Sequence, residues 1–158
     1  MKYYIGKYWE MANSTDSDIR QDGIAKWNEA AKKYGPYFQS IRENLPVDFL
    51  AEFDRQGWFH DFLITNISIK NIGWQHNDIE LHIELDEWAY RILLVDVKGF
   101  NFAVADNKSW VFGKLCWGYS EFELIDNDIW IIRILCDFYD ELEISFKEIK
   151  IETLESTL

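Results

Sequence analysis

The hydrophobic and polar positions along the chain change their period near residue 58. Before this point, apolar residues recur every three or four positions, which predicts helices with one buried face. After it, they alternate with polar residues or form short apolar runs between turns, which predicts β-strands. We therefore expect a single α+β domain over 1–158, mainly helical at 1–57 and an antiparallel β-sheet at 58–158.

The helical segment is predicted to contain three helices. Residues 14–18 supply N-cap oxygens and negative charge for the first helix. Its apolar stripe consists of Ile24, Trp27, Ala31 and Tyr34. Gly35–Pro36 predicts the end of this helix, and a short second helix is expected over 37–43. The third helix is expected to begin at Pro46 and to end at Gly57.

The most regular strand pattern lies at 79–86. The apolar side chains on one face are Ile79, Leu81, Ile83 and Leu85. The polar side chains on the other face are Glu80, His82, Glu84 and Asp86. This alternation is typical of an antiparallel strand with one face in the core and the other in water.

Further strands follow from apolar runs bounded by turn residues. They are expected at 59–71, 90–97, 100–104, 110–125, 129–136 and 141–151. The side chains predicted to share one face of the first are Leu63, Thr65, Ile67 and Ile69. The strand at 90–97 is nearly continuous in apolar residues, which predicts coverage on both faces.

Glycines and a change of parity mark irregular points in these strands. Gly113 and Gly118 predict bulges or bends, and the shift of apolar parity near Lys147–Glu148 predicts a bulge or a change of face. Short turns between consecutive strands predict a curved antiparallel β-meander of about five to seven strands. The helical N-terminal third is expected to pack on this sheet.

The chain carries a formal net charge of −12, from 28 acidic and 16 basic residues. A field of this sign repels phosphate backbones, so nucleic-acid binding is disfavoured. The same field attracts a basic protein partner and speeds the encounter. It also keeps a protein soluble, which is the simpler interpretation.

Cysteine spacing and hydropathy indicate a cytoplasmic protein without cofactors. Cys116 and Cys136 have no metal-binding or redox spacing and lie in apolar surroundings, so reduced, buried thiols are expected. The first ten residues form no signal-peptide apolar region. The apolar run Trp130–Cys136 is too short and too charged to span a bilayer. We therefore expect neither a metal nor a membrane partner.

Two histidine groups are weak candidates for binding. His60–Asp61 can be compared with the dipeptide of HD metal phosphohydrolases, but it opens a strand and no histidine precedes it. We interpret this pair as organising the helix-to-strand junction through hydrogen bonds to backbone groups. His82 shares a strand face with Glu80 and Glu84, where a weakly bound cation is conceivable, although an exposed polar face is the simpler interpretation.

Aromatic and acidic residues supply the remaining candidates. The aromatic group comprises Trp110, Phe112, Trp117, Tyr119 and Phe122. Such side chains line pockets or stack on sugars, but they more often form core contacts between strands. The carboxylate pairs are Glu121 with Glu123, Asp137 with Asp140, and Glu141 with Glu143. A glycosidase would need two carboxyl groups to face each other across a cleft, and with 28 acids such pairs arise by chance.

The chain contains no catalytic motif that we recognise. A GxSxG sequence, a phosphate-binding glycine loop and a cysteine–histidine pair at a known spacing are all absent from the sequence. We therefore assign no catalytic residue and do not expect an enzyme.

The order of short motifs resembles two groups of bacterial proteins. The chain opens with Met-Lys-Tyr-Tyr and Trp9–Glu10, continues with acidic helices, and reaches Phe59-His60-Asp61 before the strands. In this it resembles the small proteins grouped as domain of unknown function 4085, a resemblance that implies no activity or site residues. The outline is also similar to immunity proteins of polymorphic toxin systems. That similarity implies an acidic, non-enzymatic binder that blocks a toxin.

These observations leave three functional hypotheses. The first is a non-enzymatic acidic bacterial binding protein, of immunity type, that neutralises a basic toxin partner. The alternative is a small-molecule binder or hydrolase that uses an aromatic-lined concave face of the sheet. The third is a structural role as a homodimer joined through a sheet edge, so either a monomer or a homodimer is expected.

Overall fold

A computed structural model describes residues 1–71, 77–103, 115–126, 128–136 and 140–154. Its helices are α1 (Gly6–Ala12), α2 (Ser17–Ile41) and α3 (Val47–Arg55), with 3-10 turns at Arg42–Asn44 and Gly57–Phe59. Its strands are β1 (Phe62–Asn71), β2 (Asn77–Leu85), β3 (Trp88–Val95), β4 (Gly99–Ala103), β5 (Leu115–Leu124), β6 (Trp130–Cys136), β7 (Glu141–Phe146) and β8 (Glu148–Leu154). The helices and the antiparallel sheet confirm the α+β class.

Helix α2 continues through the point where the sequence predicted its end. It begins at the N-cap Asp16, whose carboxylate accepts the N–H groups of residues 18 and 19, and it runs past Gly35 and Pro36. The predicted end, and the separate second helix over 37–43, were therefore wrong. Gly35 has no Cβ to clash with the following proline ring, and Tyr34 and Phe38 on either side are both 1% exposed. Core packing of these rings outweighs the hydrogen bond that the proline removes.

Helix α1, which the sequence pattern did not predict, packs closely across α2 at Gly23. A Cβ at that position would lie 2.3 Å from the backbone nitrogen of Ala12, so only glycine permits this approach. The buried residues of α2 are Gly23, Ala30, Tyr34 and Phe38. Ile24, which the predicted apolar stripe included, is 45% exposed, because α1 covers the face that contains Gly23.

Over the described residues, the sheet has eight strands in the order β4-β7-β6-β5-β1-β2-β3-β8, which exceeds the predicted five to seven. All pairings are antiparallel. Strands β1–β3 and β5–β7 form two meanders, and a short pairing of β1 with β5, from Phe62↔Trp117 to Ile64↔Leu115, joins them. The predicted single meander is therefore two meanders side by side.

The two edge strands of this order, β4 and β8, come from two segments of the chain, 88–103 and 141–154, that pair with each other twice. Strand β4 follows β3 and pairs with β7, while β8 follows β7 and pairs with β3. The N–H of Lys147 donates to the carbonyl of Val95 at 3.0 Å, and the N–H of Lys98 donates to that of Ser145 at 2.8 Å. These bonds link the two ladders, so the sheet curls round on itself.

The change of face predicted near Lys147–Glu148 is confirmed, and it takes the form of a break between two strands. The buried residues of β7 are Leu142, Ile144 and Phe146, whereas Ile149 is the buried residue of β8. Lys147 lies between the two strands and shifts the inward positions from even to odd numbers. The segment 141–154 can therefore form β7 near one end of the strand order and β8 at the other, with apolar side chains directed to the core in both.

Strands β1 and β3 depart from their predicted patterns, whereas β2 keeps its own. A register shift between Ile64 and Asn66 puts Thr65 in a bulge, so the predicted common face of β1 is broken. In β3, Arg91 is exposed and Leu93 is half-buried, so this strand is not covered on both faces as predicted. The core face of β2 is confirmed, since Ile79, Leu81 and Ile83 are at most 1% exposed and Leu85 packs against the core.

The helices cover the part of β5 that has no neighbouring strand on one side. The hydroxyl oxygen of Tyr34 accepts the N–H of Phe122 at 2.6 Å, and that of Tyr37 accepts the N–H of Leu124 at 3.2 Å. The ring of Phe122 also packs against Phe38, with the ring centroids 6.0 Å apart. Two tyrosines of α2 thus take the place of a paired strand and hold the helical third on the sheet.

Candidate functional site

The turn between α3 and β1 holds a run of residues with unusual backbone conformation. Gly57, Trp58, Phe59 and Asp61 have φ values of 57°, 65°, 58° and 71°. For residues other than glycine, the left-handed region costs about 1–2 kcal/mol each. Burial offsets this cost at Phe59, which is 0% exposed, and the N–H of Asp61 donates to the carbonyl of Trp117 at 2.9 Å. Packing and pairing thus fix the turn next to β5.

Strand β5 has a bulge beside this turn. Its register with β6 shifts between Trp117 and Tyr119, which confirms the bulge predicted at Gly118. A Cβ on Gly118 would lie 2.7 Å from the carbonyl oxygen of Leu135, so the bulge requires glycine. Trp117 lies in the core at 0% exposure, and Ser120 and Glu121 beyond the bulge are also buried.

The turn, the bulge and the start of the chain enclose a pocket of about 140 Å³. The side chains that line it belong to Tyr4, Trp58, His60, Tyr119 and Ser120, together with the two glycines Gly57 and Gly118. Most sites for drug-sized ligands have volumes of about 300 Å³ or more. A cavity of about 150 Å³ holds a group the size of benzene, so this pocket fits one side chain.

Aromatic rings dominate the walls of the pocket. The centroid of the Tyr119 ring lies 4.8 Å from that of His60 and 5.8 Å from that of Tyr4. Burial raises the pKa of Tyr119, and the nearby charge of Asp61 raises it further. Burial and then the charge of Glu121 raise the pKa of Tyr4. Both phenols are therefore neutral at physiological pH, in an environment made negative by carboxylates.

His60 and Asp61 form a pair at the mouth of the pocket. The distance from His60 Nδ1 to Asp61 Oδ2 is 3.0 Å, and their side chains are 39% and 74% exposed. The hydroxyl of Ser120 has no hydrogen-bond partner among the described residues, so it does not form a hydrogen bond with His60. Nucleophilic catalysis by serine uses a hydrogen-bonded base oriented by a buried acid. The described geometry instead provides an aromatic pocket with a carboxylate at its edge.

Glu121 holds the wall that contains Tyr4. Its side chain is buried, with 1% exposure, although a regular alternation of the kind predicted at 79–86 would put a strand glutamate in water. One carboxylate oxygen accepts the N–H groups of Tyr3 at 2.7 Å and Tyr4 at 2.5 Å, and the other accepts that of Lys2 at 2.8 Å. The bulge at Gly118 was the sequence signal that alternation fails here.

The neighbouring acids of β5 and β7 are paired with cations. Glu123 contacts Lys2 Nζ at 2.5 Å and Arg133 Nη1 at 2.8 Å, and Arg133 Nε contacts Glu143 at 2.6 Å. Burial opposes ionisation of Glu123, but the hydrogen bonds from Lys2 and Arg133 outweigh it and lower its pKa. Glu141 contacts the Met1 ammonium at 2.5 Å. These pairs hold the fold together, while Asp137 lies outside the described residues.

The second histidine candidate forms a separate surface pair. His82 Nε2 lies 2.9 Å from Glu80 Oε1, and Lys70 Nζ lies 3.5 Å from the same oxygen. Burial opposes ionisation of Glu80, but hydrogen bonding to His82 and the charge of Lys70 lower its pKa. Glu84 is exposed and forms no ion pair with any described residue. Within the described ranges, no group of three or more His, Cys, Asp or Glu side chains could hold a metal ion.

The aromatic candidates of β5 separate into different environments. Trp117 and Phe122 belong to the core, whereas Tyr119 lines the pocket. Trp110 and Phe112 lie outside the described residues. Sequence reasoning singled out His60, Asp61 and Tyr119 one by one. It did not bring them together, and it gave Tyr4 and Ser120 no role, because long-range packing assembles the pocket.

Comparison with protein-family models and with curated proteins finds no match to this chain. Among the parts of the chain that the structure describes, no helix is long and apolar enough to cross a membrane.

Proposed function

We propose that this protein is a non-enzymatic binding protein whose partner is a basic protein. The observation that carries this proposal is the distribution of charge. Most described lysines and arginines contact acids of the same chain, as Lys26 does Asp22 and Lys33 does Glu29, both at 2.7 Å. Among the described residues, the excess of negative charge therefore resides on acids without such partners.

Several of these acids lie at the surface and form no ion pair with any other described residue. They are Glu10, Asp16, Asp18, Asp48, Glu84, Asp86 and Glu87. Charges of one sign on an exposed surface attract an oppositely charged protein over distances of about 10 Å, and salt weakens that attraction. The number of these exposed, unpaired acids supports recognition of a basic partner.

The size of the pocket favours a protein partner over a metabolite. At about 140 Å³ it accepts one side chain, and the aromatic rings of Trp117 and Phe122 on the sheet are packed in the core. The alternative of a small-molecule binder or hydrolase on a concave sheet face thus gains no specific support. Similarity in outline to toxin-immunity proteins adds a partner class, a basic toxin domain that this protein would neutralise.

Affinity capture tests the proposal. The protein is immobilised and exposed to extracts of the cells that produce it, and retained proteins are eluted with increasing salt and identified. We expect a basic protein that binds at low salt and elutes before about 1 M salt, where the Debye length is about 3 Å.

A variant that removes part of the unpaired charge serves as the control. Glu84→Gln, Asp86→Asn and Glu87→Gln together neutralise the turn between β2 and β3 without touching the pocket. This variant should associate more slowly with the purified partner. Retention of neutral or acidic proteins only, or binding that salt does not affect, would contradict the proposal.

A further inference from the structure

We propose that the pocket formed by Tyr4, Trp58, His60, Tyr119 and Ser120 receives an arginine side chain of the partner. This inference rests on the proposed function, since it names the group of a basic protein that the site takes. Size supports the assignment first, because a volume of about 140 Å³ suits one planar group at the end of a side chain.

The chemistry of the walls matches a cation. Arginine stacks on aromatic faces, and the pocket presents the rings of Tyr4, Trp58 and Tyr119. Each such ring strengthens binding by about two- to fivefold at an exposed site. Lysine and arginine are both missing from the described lining of the pocket, so no cation of the chain itself occupies it.

A carboxylate near the pocket suits the donors of a guanidinium group. Asp61 lies at the edge with its carboxylate 74% exposed, and its charge acts on Tyr119. Ser120 lines the pocket, but its hydroxyl oxygen is buried, so we assign Asp61 as the acceptor of the guanidinium. Guanidinium carries five N–H donors in a plane and is less strongly hydrated than ammonium, which favours arginine over lysine.

The test uses N-acetyl-arginine amide as the probe and N-acetyl-citrulline amide as its uncharged isostere. Each is titrated into the isotope-labelled protein, and the amide resonances of Tyr119 and Ser120 are followed. We expect saturable shifts with the arginine probe in the millimolar range, and weaker or no binding of citrulline. No saturable shift, or equal affinity for citrulline, would overturn the inference.

A matched pair of variants separates the local charge from the charge of the whole protein. Asp61→Asn removes the carboxylate at the pocket, and Asp86→Asn removes one in the turn between β2 and β3. Both aspartates have positive φ, at 71° and 51°, and asparagine adopts this conformation readily. We expect Asp61→Asn to weaken binding of the arginine probe about two- to fivefold. Asp86→Asn should leave it unchanged, and an equal loss in both variants would reject the site.

Failure of the arginine pocket can be distinguished from failure of the proposed function. A basic partner whose affinity does not change in Tyr119→Leu or Asp61→Asn would leave the proposed function in place and reject the arginine pocket. Specific binding of the arginine probe, with no basic partner captured, would reject the proposed function instead. Tighter binding of tetramethylammonium than of the arginine probe would assign the pocket to a different cation and overturn the choice of arginine.

Discussion

Strands β2 and β5 both carry glutamates at alternate positions, yet they place them in different environments. The register of β2 with β3 is unbroken from Ile79↔Leu94 to Leu85↔Trp88, and Glu84 on its outer face is exposed. Strand β5 has a bulge at Gly118, and Glu121 beyond it is 1% exposed. The same alternation of residues thus leaves Glu84 in water and buries Glu121, while Glu80 and Glu123 are 13% and 21% exposed.

The difference between Glu84 and Glu121 shows under which conditions the alternation of polar and apolar residues predicts which side chains are buried. It holds where a strand is regular and its outer face is free, as in β2. In β5 the start of the chain covers the outer side, and the backbone N–H groups of residues 2–4 need an acceptor when they are buried. Glu121 supplies that acceptor, so its burial helps to hold Tyr4 in the wall of the pocket.

The largest predicted effect is that of removing the buried glutamate. Glu121→Ala leaves three backbone N–H groups without an acceptor, so we expect a loss of about 3–4 kcal/mol in the free energy of unfolding. Denaturant titration followed by circular dichroism measures it. Glu84→Ala on β2 is the matched control, expected to change stability by less than about 0.5 kcal/mol. Equal effects of the two substitutions would contradict the comparison.

The bulge can be tested with a pair of glycine substitutions. Gly118→Ala drives a Cβ to 2.7 Å from the backbone oxygen of Leu135, so we expect a loss of about 1–3 kcal/mol. In Gly99→Ala the Cβ meets the Ser145 hydroxyl at 2.8 Å, which a side-chain rotation relieves. The melting temperature of Gly118→Ala should be well below that of Gly99→Ala. The reverse order would show that β5 tolerates a side chain at its bulge.

A fall in pH should remove the stability that the ion pairs of both strands contribute. The pKa values of Glu123 on β5 and Glu80 on β2 are both lowered from 4.5 in the folded protein. Stability from these groups is therefore complete above about pH 4.5 and is lost as the pH falls through their lower folded values. Unfolding free energies measured across this range should fall less steeply for Glu123→Gln and Glu80→Gln than for the wild type. A steeper fall in either variant would contradict the ion pairs.

The smallest predicted change in stability concerns the pocket itself. Ser120→Ala removes a buried hydroxyl that has no partner among the described residues. Because no hydrogen bond to a described residue compensates for the burial of this hydroxyl, we expect the free energy of unfolding to stay the same or to rise by up to about 1 kcal/mol. Denaturant midpoints measure this change. A clear loss of stability would mean that the hydroxyl contributes a hydrogen bond to the fold.

Sequence patterns identified the features that depend on neighbouring residues. They located the inner face of β2, the bulge at Gly118, the change of face at Lys147, and the start of α3 after Pro46. They failed at Pro36, where the burial of Tyr34 and Phe38 carries the helix past a helix-breaking residue. Tertiary packing decides such cases, and local propensity is a weak guide to them.

The pocket and the sheet order were beyond sequence reasoning for a related reason. Tyr4, His60 and Tyr119 are far apart in the chain and meet only after β1 pairs with β5. The placement of β8 beside β3 likewise depends on the curl of the sheet, which no local period encodes. The candidate residues could be named one at a time, but their convergence is a property of the fold.

We propose that the irregular junction of β5 with the turn before β1 is the binding site, and that the regular acidic face of β2 is not. A map of amide chemical-shift changes on saturation with N-acetyl-arginine amide tests it most directly. We predict the largest changes at residues 4, 58–61 and 118–120, and little change at 79–85. Changes as large on β2 as on β5 would contradict the account, since they would mean that charge alone attracts the probe.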